Sequence, residues 1–287
     1  MRRFAPFFNI NASTQSTLIN LPQKKVVSGV IVAWFTYLIK LMEEYKFPPW
    51  AIWNADEKPI CVTNRGSSVY TFVDKLEKEI VVESAGIHRH YTLLAATSAA
   101  GDTAMPTVLL PLKNDPSEEE PFIGQMEFIC TSSGYINKPA LVKWATTVLI
   151  PKPDALRSAH NATNAPVLLV MDNHSSRCNL EFVKLLFDHH IVLFMLPSNS
   201  SFVLQPLDLN YNNTFQTFFN KQFPALPPGF SMEQERRTVF SAILSAARSA
   251  STPETVKAGF KRSGIWGAEG KPDMAKPLKS MCCIRAI

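Results

Sequence analysis

No C-x-x-C pair occurs in the 287 residues, although there are five cysteines, Cys61, Cys130, Cys178, Cys282 and Cys283. That excludes a zinc ribbon and a thioredoxin motif, and an odd, scattered set reads as reduced thiols of a cytosolic or nuclear protein. There is no G-x-S-x-G, which leaves serine-hydrolase chemistry little support. There is no P-loop and no G-x-G-x-x-G, which disfavours enzymes built on a nucleotide cofactor. No apolar run reaches the ~20 residues of a membrane span. The greasiest stretch, residues 26–39, has fourteen uncharged positions between Lys25 and Lys40 and reads as a core helix. Met1-Arg2-Arg3 followed by Phe4-Ala5-Pro6 lacks a signal-peptide apolar region, and Cys283 stands too far from the end for a prenylation box. There is no internal repeat.

What is present is a globular composition, 46% hydrophobic and 18% charged, long enough for one large or two small cores. The net charge of +5 suits a polyanionic partner without requiring one. Val27, Val30, Trp34, Tyr37, Leu38, Leu41 and Tyr45 recur at helical spacing and predict a helix over 24–46, stopped by Pro48-Pro49. A short apolar strand follows over 50–55 and ends at Asp56. Residues 69–82 have a mixed pattern. Strands are expected over 90–99 and 106–112 about a turn at Gly101-Asp102, with 113–120 a charged loop. A helix over 138–149 leads to a proline-bearing connector over 151–164. The strand 166–171, helix 179–189 and strand 191–196 imply a parallel pair. Further helices are expected over 207–219, over 232–249, and from Thr252-Pro253-Glu254 to near Gly264. The tail to Ile287 is basic and without strong pattern.

Three aspartates stand out. Asp56 and Asp172 each follow an apolar strand, in AIWNADE and VLLVMDNHSS, and Asp208 opens a helix in VLQPLDLN. Three carboxylates drawn from distant parts of a chain can neutralise a pair of divalent ions, the arrangement that phosphodiester chemistry uses. Each also has a local explanation: a turn or cap for Asp56 and Asp172, and for Asp208 about 0.3–1 kcal/mol of helix-dipole energy. Alternation turns Glu57 away from Asp56. His174 is placed to meet a phosphate or to cap the next helix. His88 and His90 lack a third ligand, and His189-His190 closes a helix.

Taken together, NADEKPI, YTLLAATSAAGDTAMPTVLLPLK, VLLVMDNHSSR, IVLFMLPSNSSFVLQPLDLNYNNTFQTFF and VKAGFKRSGIW resemble, in order and spacing, DDE superfamily endonucleases of the pogo/Tigger/Jerky type. These are mariner-related transposases and domesticated relatives such as centromere protein B, and the similarity runs from about residue 12 to about residue 273. The resemblance implies an α/β, ribonuclease-H-like mixed sheet flanked by helices. It makes Asp56, Asp172 and Asp208 the catalytic, metal-holding triad, with Mg2+ or Mn2+ as cofactor. The chain departs from the family pattern at Lys58-Pro59, at Arg177 and at Asn210, none of which removes a carboxylate. The family carries helix-turn-helix domains before its catalytic region. This chain begins almost at that region, so target reading is expected from elsewhere.

The expected organisation is a lead-in over 1–23, a catalytic core over 24–224, a helical part of the same domain over 225–265 and a basic tail over 266–287. DNA is the expected partner, with a homodimer open and a nuclear location. His174, Arg177, Arg236, Arg237, Lys257, Lys261 and Arg262 are the candidate DNA contacts, each equally at home on a solvated helix face. Two other readings stay open: a non-catalytic binding remnant of the same fold, and a small-molecule α/β enzyme, which would show a deep apolar pocket around the acids.

Overall fold

The computed structural model of the protein describes residues 23–62, 89–113, 121–173, 179–223 and 231–283. The mixed pattern at 69–82, the turn holding His174 and Arg177, and most of the charged loop lie outside them. Helix α1 (Gln23–Tyr45) comes first, and then strands β1 (Ile52–Val62), β2 (Arg89–Ser98), β3 (Thr107–Leu110) and β4 (Glu127–Cys130). Next are α2 (Lys138–Trp144), α3 (Pro151–Ala159), β5 (Val167–Met171), α4 (Leu180–Asp188) and β6 (Ile191–Met195). A one-turn helix α5 (Ser201–Leu204) and a wide π turn (Leu207–Tyr211) lead into α6 (Asn212–Gln222). Helices α7 (Met232–Ala250), α8 (Pro253–Ser263) and α9 (Ala275–Cys283) complete the described chain.

The strands form one sheet in the order β4-β3-β2-β1-β5-β6. β1 pairs antiparallel with β2 and β2 with β3, while β1–β5, β5–β6 and β3–β4 are parallel. Both faces are covered, and the pleat sorts side chains between them. Ile52, Ile60, Val62, Leu168 and Val170 join α1, α6, α7 and α8 in one core. Trp53, Ala55, Leu169 and Met171 join α2 and α4 in the other. A strand buried on both faces reads as an unbroken apolar run, which is why β5 is entirely buried. α1 closes the β6 edge: Ile31, Phe35 and Leu38 are buried, and the Trp34 indole N–H donates to the carbonyl of Met195 at 2.8 Å.

Four local expectations change. β1 does not stop at Asp56 but runs on to Val62, because β2 continues to pair with it through Val62↔Arg89. The segment after Leu149 is a helix to Ala159, not a connector. Its prolines stand in the first turn, where no backbone N–H is needed. β4 is too short for alternation to reveal. α9 follows a stretch rich in turn residues that hides it. The caps at the other end are as read: Thr252 accepts from the Thr255 N–H, and Gly264 ends α8 with φ 74°.

Candidate carboxylate site

Asp56 and Asp172 are brought together by strand register. Ile52, Trp53 and Asn54 of β1 lie level with Leu168, Leu169 and Val170 of β5. Two residues further on, the same register sets Asp56 beside Asp172, just past the end of β5. Both are even-numbered on strands whose even residues enter the core with α6 and α8, so the pleat sends both carboxylates to that face. Each is half-buried.

Asp208 arrives on the same face because the segment before it is clamped. Buried Asn54, near the start of β1, donates from Nδ2 to the carbonyl of Val170 and to Gln205 Oε1, both at 2.9 Å. Its Oδ1 accepts from the Leu207 N–H at 3.1 Å. Gln205 Nε2 reaches the carbonyl of Ala55 at 3.4 Å. One side chain thus ties β1, β5 and the 205–207 segment together with every bond satisfied, as a buried amide requires. From the other side α8 grips the π turn. Asn210 Nδ2 donates to the carbonyl of Thr255 at 2.8 Å, and Arg262 Nη1 donates to the carbonyl of Leu209 at 2.8 Å and to Asn210 Oδ1 at 2.7 Å. Gly259 lies so close to the Pro206 carbonyl that a Cβ would collide with it.

The side chain nearest the acids is one that the sequence did not single out. Nδ2 of buried Asn212 donates to Asp56 Oδ2 at 3.0 Å and to Asp208 Oδ1 at 2.9 Å. The pair therefore faces across a single amide nitrogen. Burial drives the Asp56 carboxyl up to about 8; the charges of Asp208 and, less strongly, Asp172 add to this, against bonds from Gln205 and the Glu57 backbone. Among the described residues no group of three or more His, Cys, Asp or Glu side chains is drawn tightly enough to form a ready metal cage. The donor chemistry nonetheless fits a hard divalent ion: carboxylate oxygens, mutually repelling, on two adjacent strands and a facing turn.

The basic candidates fall into two groups. Lys257 and Lys261 are exposed one turn apart on α8, the helix that grips the Asp208 turn. Arg262 is engaged in that grip. Arg236 is half-buried on α7, and the exposed Arg237 pairs with Glu233 at 3.0 Å. Arg237 also borders an open groove of about 570 Å³ shared with Gln222 and Ser241. Gln222 is ten residues along α6 from Asn212, about 15 Å, so that groove is remote from the acids. It is open to solvent, and its lining mixes polar and apolar surface.

Asn54, Gln205 and Asn212 escaped the sequence reading. A polar residue inside the apolar string AIWNA was a signal, since it must find buried partners. Asn212, four residues beyond Asp208, was the other.

A six-stranded mixed sheet flanked by helices, with acids on adjacent strands at one level, is the ribonuclease-H-like architecture of transposase catalytic domains. Residues 88–260 match the family model described as DDE superfamily endonuclease. The chain belongs to that family. The matched span contains Asp172 and Asp208, whereas Asp56 precedes it. Among solved structures, the chain is similar to that of a pre-cleavage Mos1 transpososome, with TM-score 0.54 and 12% identity over 91% of this chain and 63% of that one. It is also similar to the Mos1 strand transfer complex, with TM-score 0.51 and 13% identity over 91% and 62%. The likeness at these identities is one of fold, and this chain spans under two thirds of those Mos1 chains. No curated protein sequence matches it significantly.

Proposed function

We propose that the chain is a transposase-derived endonuclease domain of the pogo/Tigger/Jerky type, which binds DNA and cuts or joins its phosphodiester backbone. The observation that carries this reading is the convergence itself. Register sets Asp56 level with Asp172, and a clamped turn sets Asp208 across one amide nitrogen from Asp56. In this reading the three carboxylates hold Mg2+ or Mn2+, which when bound would activate a water or a DNA 3′-hydroxyl and stabilise the departing oxygen. The chain's own part is placement. The Asn54 clamp fixes Asp208 against β1, and the sheet fixes Asp56 against Asp172. Asp56 and Asp172 are half-buried and Asp208 is exposed, so the acids stay open to an incoming backbone phosphate. Lys257 and Lys261, exposed on α8, would meet the DNA backbone, and a nuclear location follows from that partner.

Nicking of supercoiled DNA by the purified protein, with and without Mg2+, tests the proposal. Cleavage should require the ion, and Asp172→Asn should reduce it by at least about a hundredfold, since loss of an outer partner alone typically costs 10–100-fold. Cleavage that survives Asp172→Asn or EDTA would overturn it. A second reading is a DNA-binding remnant of the same fold without turnover. Retarded DNA on a gel with no nicking by folded, Mg2+-loaded protein would favour that one.

A further inference from the structure

Asn212 occupies the place where a cation would be most useful. It is buried, and its two N–H groups each go to a different carboxylate, one to Asp56 and one to Asp208. The NH2 end of the amide faces both acids, each of which offers an oxygen lone pair to accept from it. Those bonds use oxygen lone pairs that a divalent ion would also need. An amide is neutral, so it bridges the acids without cancelling their charge. Asn212 stands at the junction of the π turn and α6, with its backbone N–H held by the Leu207 carbonyl, so the backbone that carries the amide is anchored independently of its side-chain bonds.

We propose that Asn212 is a placeholder for the metal ion. It holds Asp56 and Asp208 together while the site is empty and gives up both bonds when the ion enters, so it lowers the affinity of the site it helps to preform. Asn212 is in this sense a positioning residue, and the proposal rests on the metal reading of the three acids. It differs from a ligand role, in which Asn212 would strengthen binding, and from a packing role, in which it would leave binding unchanged.

Isothermal titration calorimetry with Mg2+ distinguishes these. Asn212→Ala should bind Mg2+ roughly tenfold more tightly, the equivalent of two lost competing hydrogen bonds of modest net strength. Asn212→Ser, which retains a single donor, should fall between the two proteins. The melting temperature of Asn212→Ala should drop in EDTA and return to the wild-type value in saturating Mg2+. Unchanged or weaker Mg2+ binding by both variants, with wild-type binding still abolished by Asp172→Asn, overturns the placeholder alone. If Asp172→Asn leaves wild-type Mg2+ binding intact, the metal reading beneath it falls instead.

Discussion

Asp56 is the residue on which the protein's pH response turns. Its pKa is raised from the ordinary 3.8 to about 8, burial first and Asp208 second. The folded, ion-free protein therefore keeps a proton that the unfolded chain releases at about pH 4. Between these values the native state binds more protons than the unfolded state, so stability falls as pH rises. Melting temperatures in EDTA should accordingly decline from about pH 4 to about pH 8, and Asp56→Asn should flatten that decline. A wild-type curve that is level or rising across this window would contradict the burial of an uncompensated carboxyl. At this scale the sequence was half legible. The acids announced themselves because each ends or opens an apolar segment. The amides beside them did not, because Asn and Gln carry no charge pattern and acquire meaning through their partners, some of them far along the chain, as Gln205 is from Asn54.

Among the elements, the π turn Leu207–Tyr211 and helix α8 act as a unit. An i→i+5 turn is rare and costs regular hydrogen bonding, and such turns cluster at functional sites. Here it lets Asp208 face the sheet while α8 lies close enough for Arg262 to hold the Leu209 carbonyl. That closeness depends on a missing side chain. Gly259→Ala would drive a methyl group into the Pro206 carbonyl. It should cost about 1–3 kcal/mol of stability, the usual penalty of overpacking, and should lower Mg2+-dependent nicking by more than that loss explains, because it displaces the Asp208 turn. Denaturant unfolding and nicking assays on one preparation would check both; wild-type stability would mean that α8 sits farther away. The helices themselves were readable from caps and 3.6-residue periodicity, as at Thr252 and Gly264. β4 and α9 were not, because a four-residue edge strand and a helix behind a turn-rich stretch draw their stability from what they pack on.

Over the whole molecule, one sheet divides the core into two, and the face shared with α6 and α8 carries the acids. Lys257 and Lys261 are exposed on α8, the helix that grips the Asp208 turn. If they meet backbone phosphates, replacing both by alanine should weaken binding to duplexes of any sequence. It should also reduce the slope of log affinity against log salt by about 2, roughly 0.9 per contact. Fluorescence anisotropy across a salt series would show it, and an unchanged slope would remove α8 from the interface. The strand-helix-strand order, the apolar run of β5 and the helix caps were determined by local sequence, because hydrophobic period and end chemistry act within a few residues. The meeting of Asp56, Asp172 and Asp208 was decided only by tertiary structure. It needs parallel register between β1 and β5, a buried Asn54 to hold the turn, and a glycine thin enough for α8 to press it home. None of these acts within one segment, since each is a contact between segments that the chain keeps far apart.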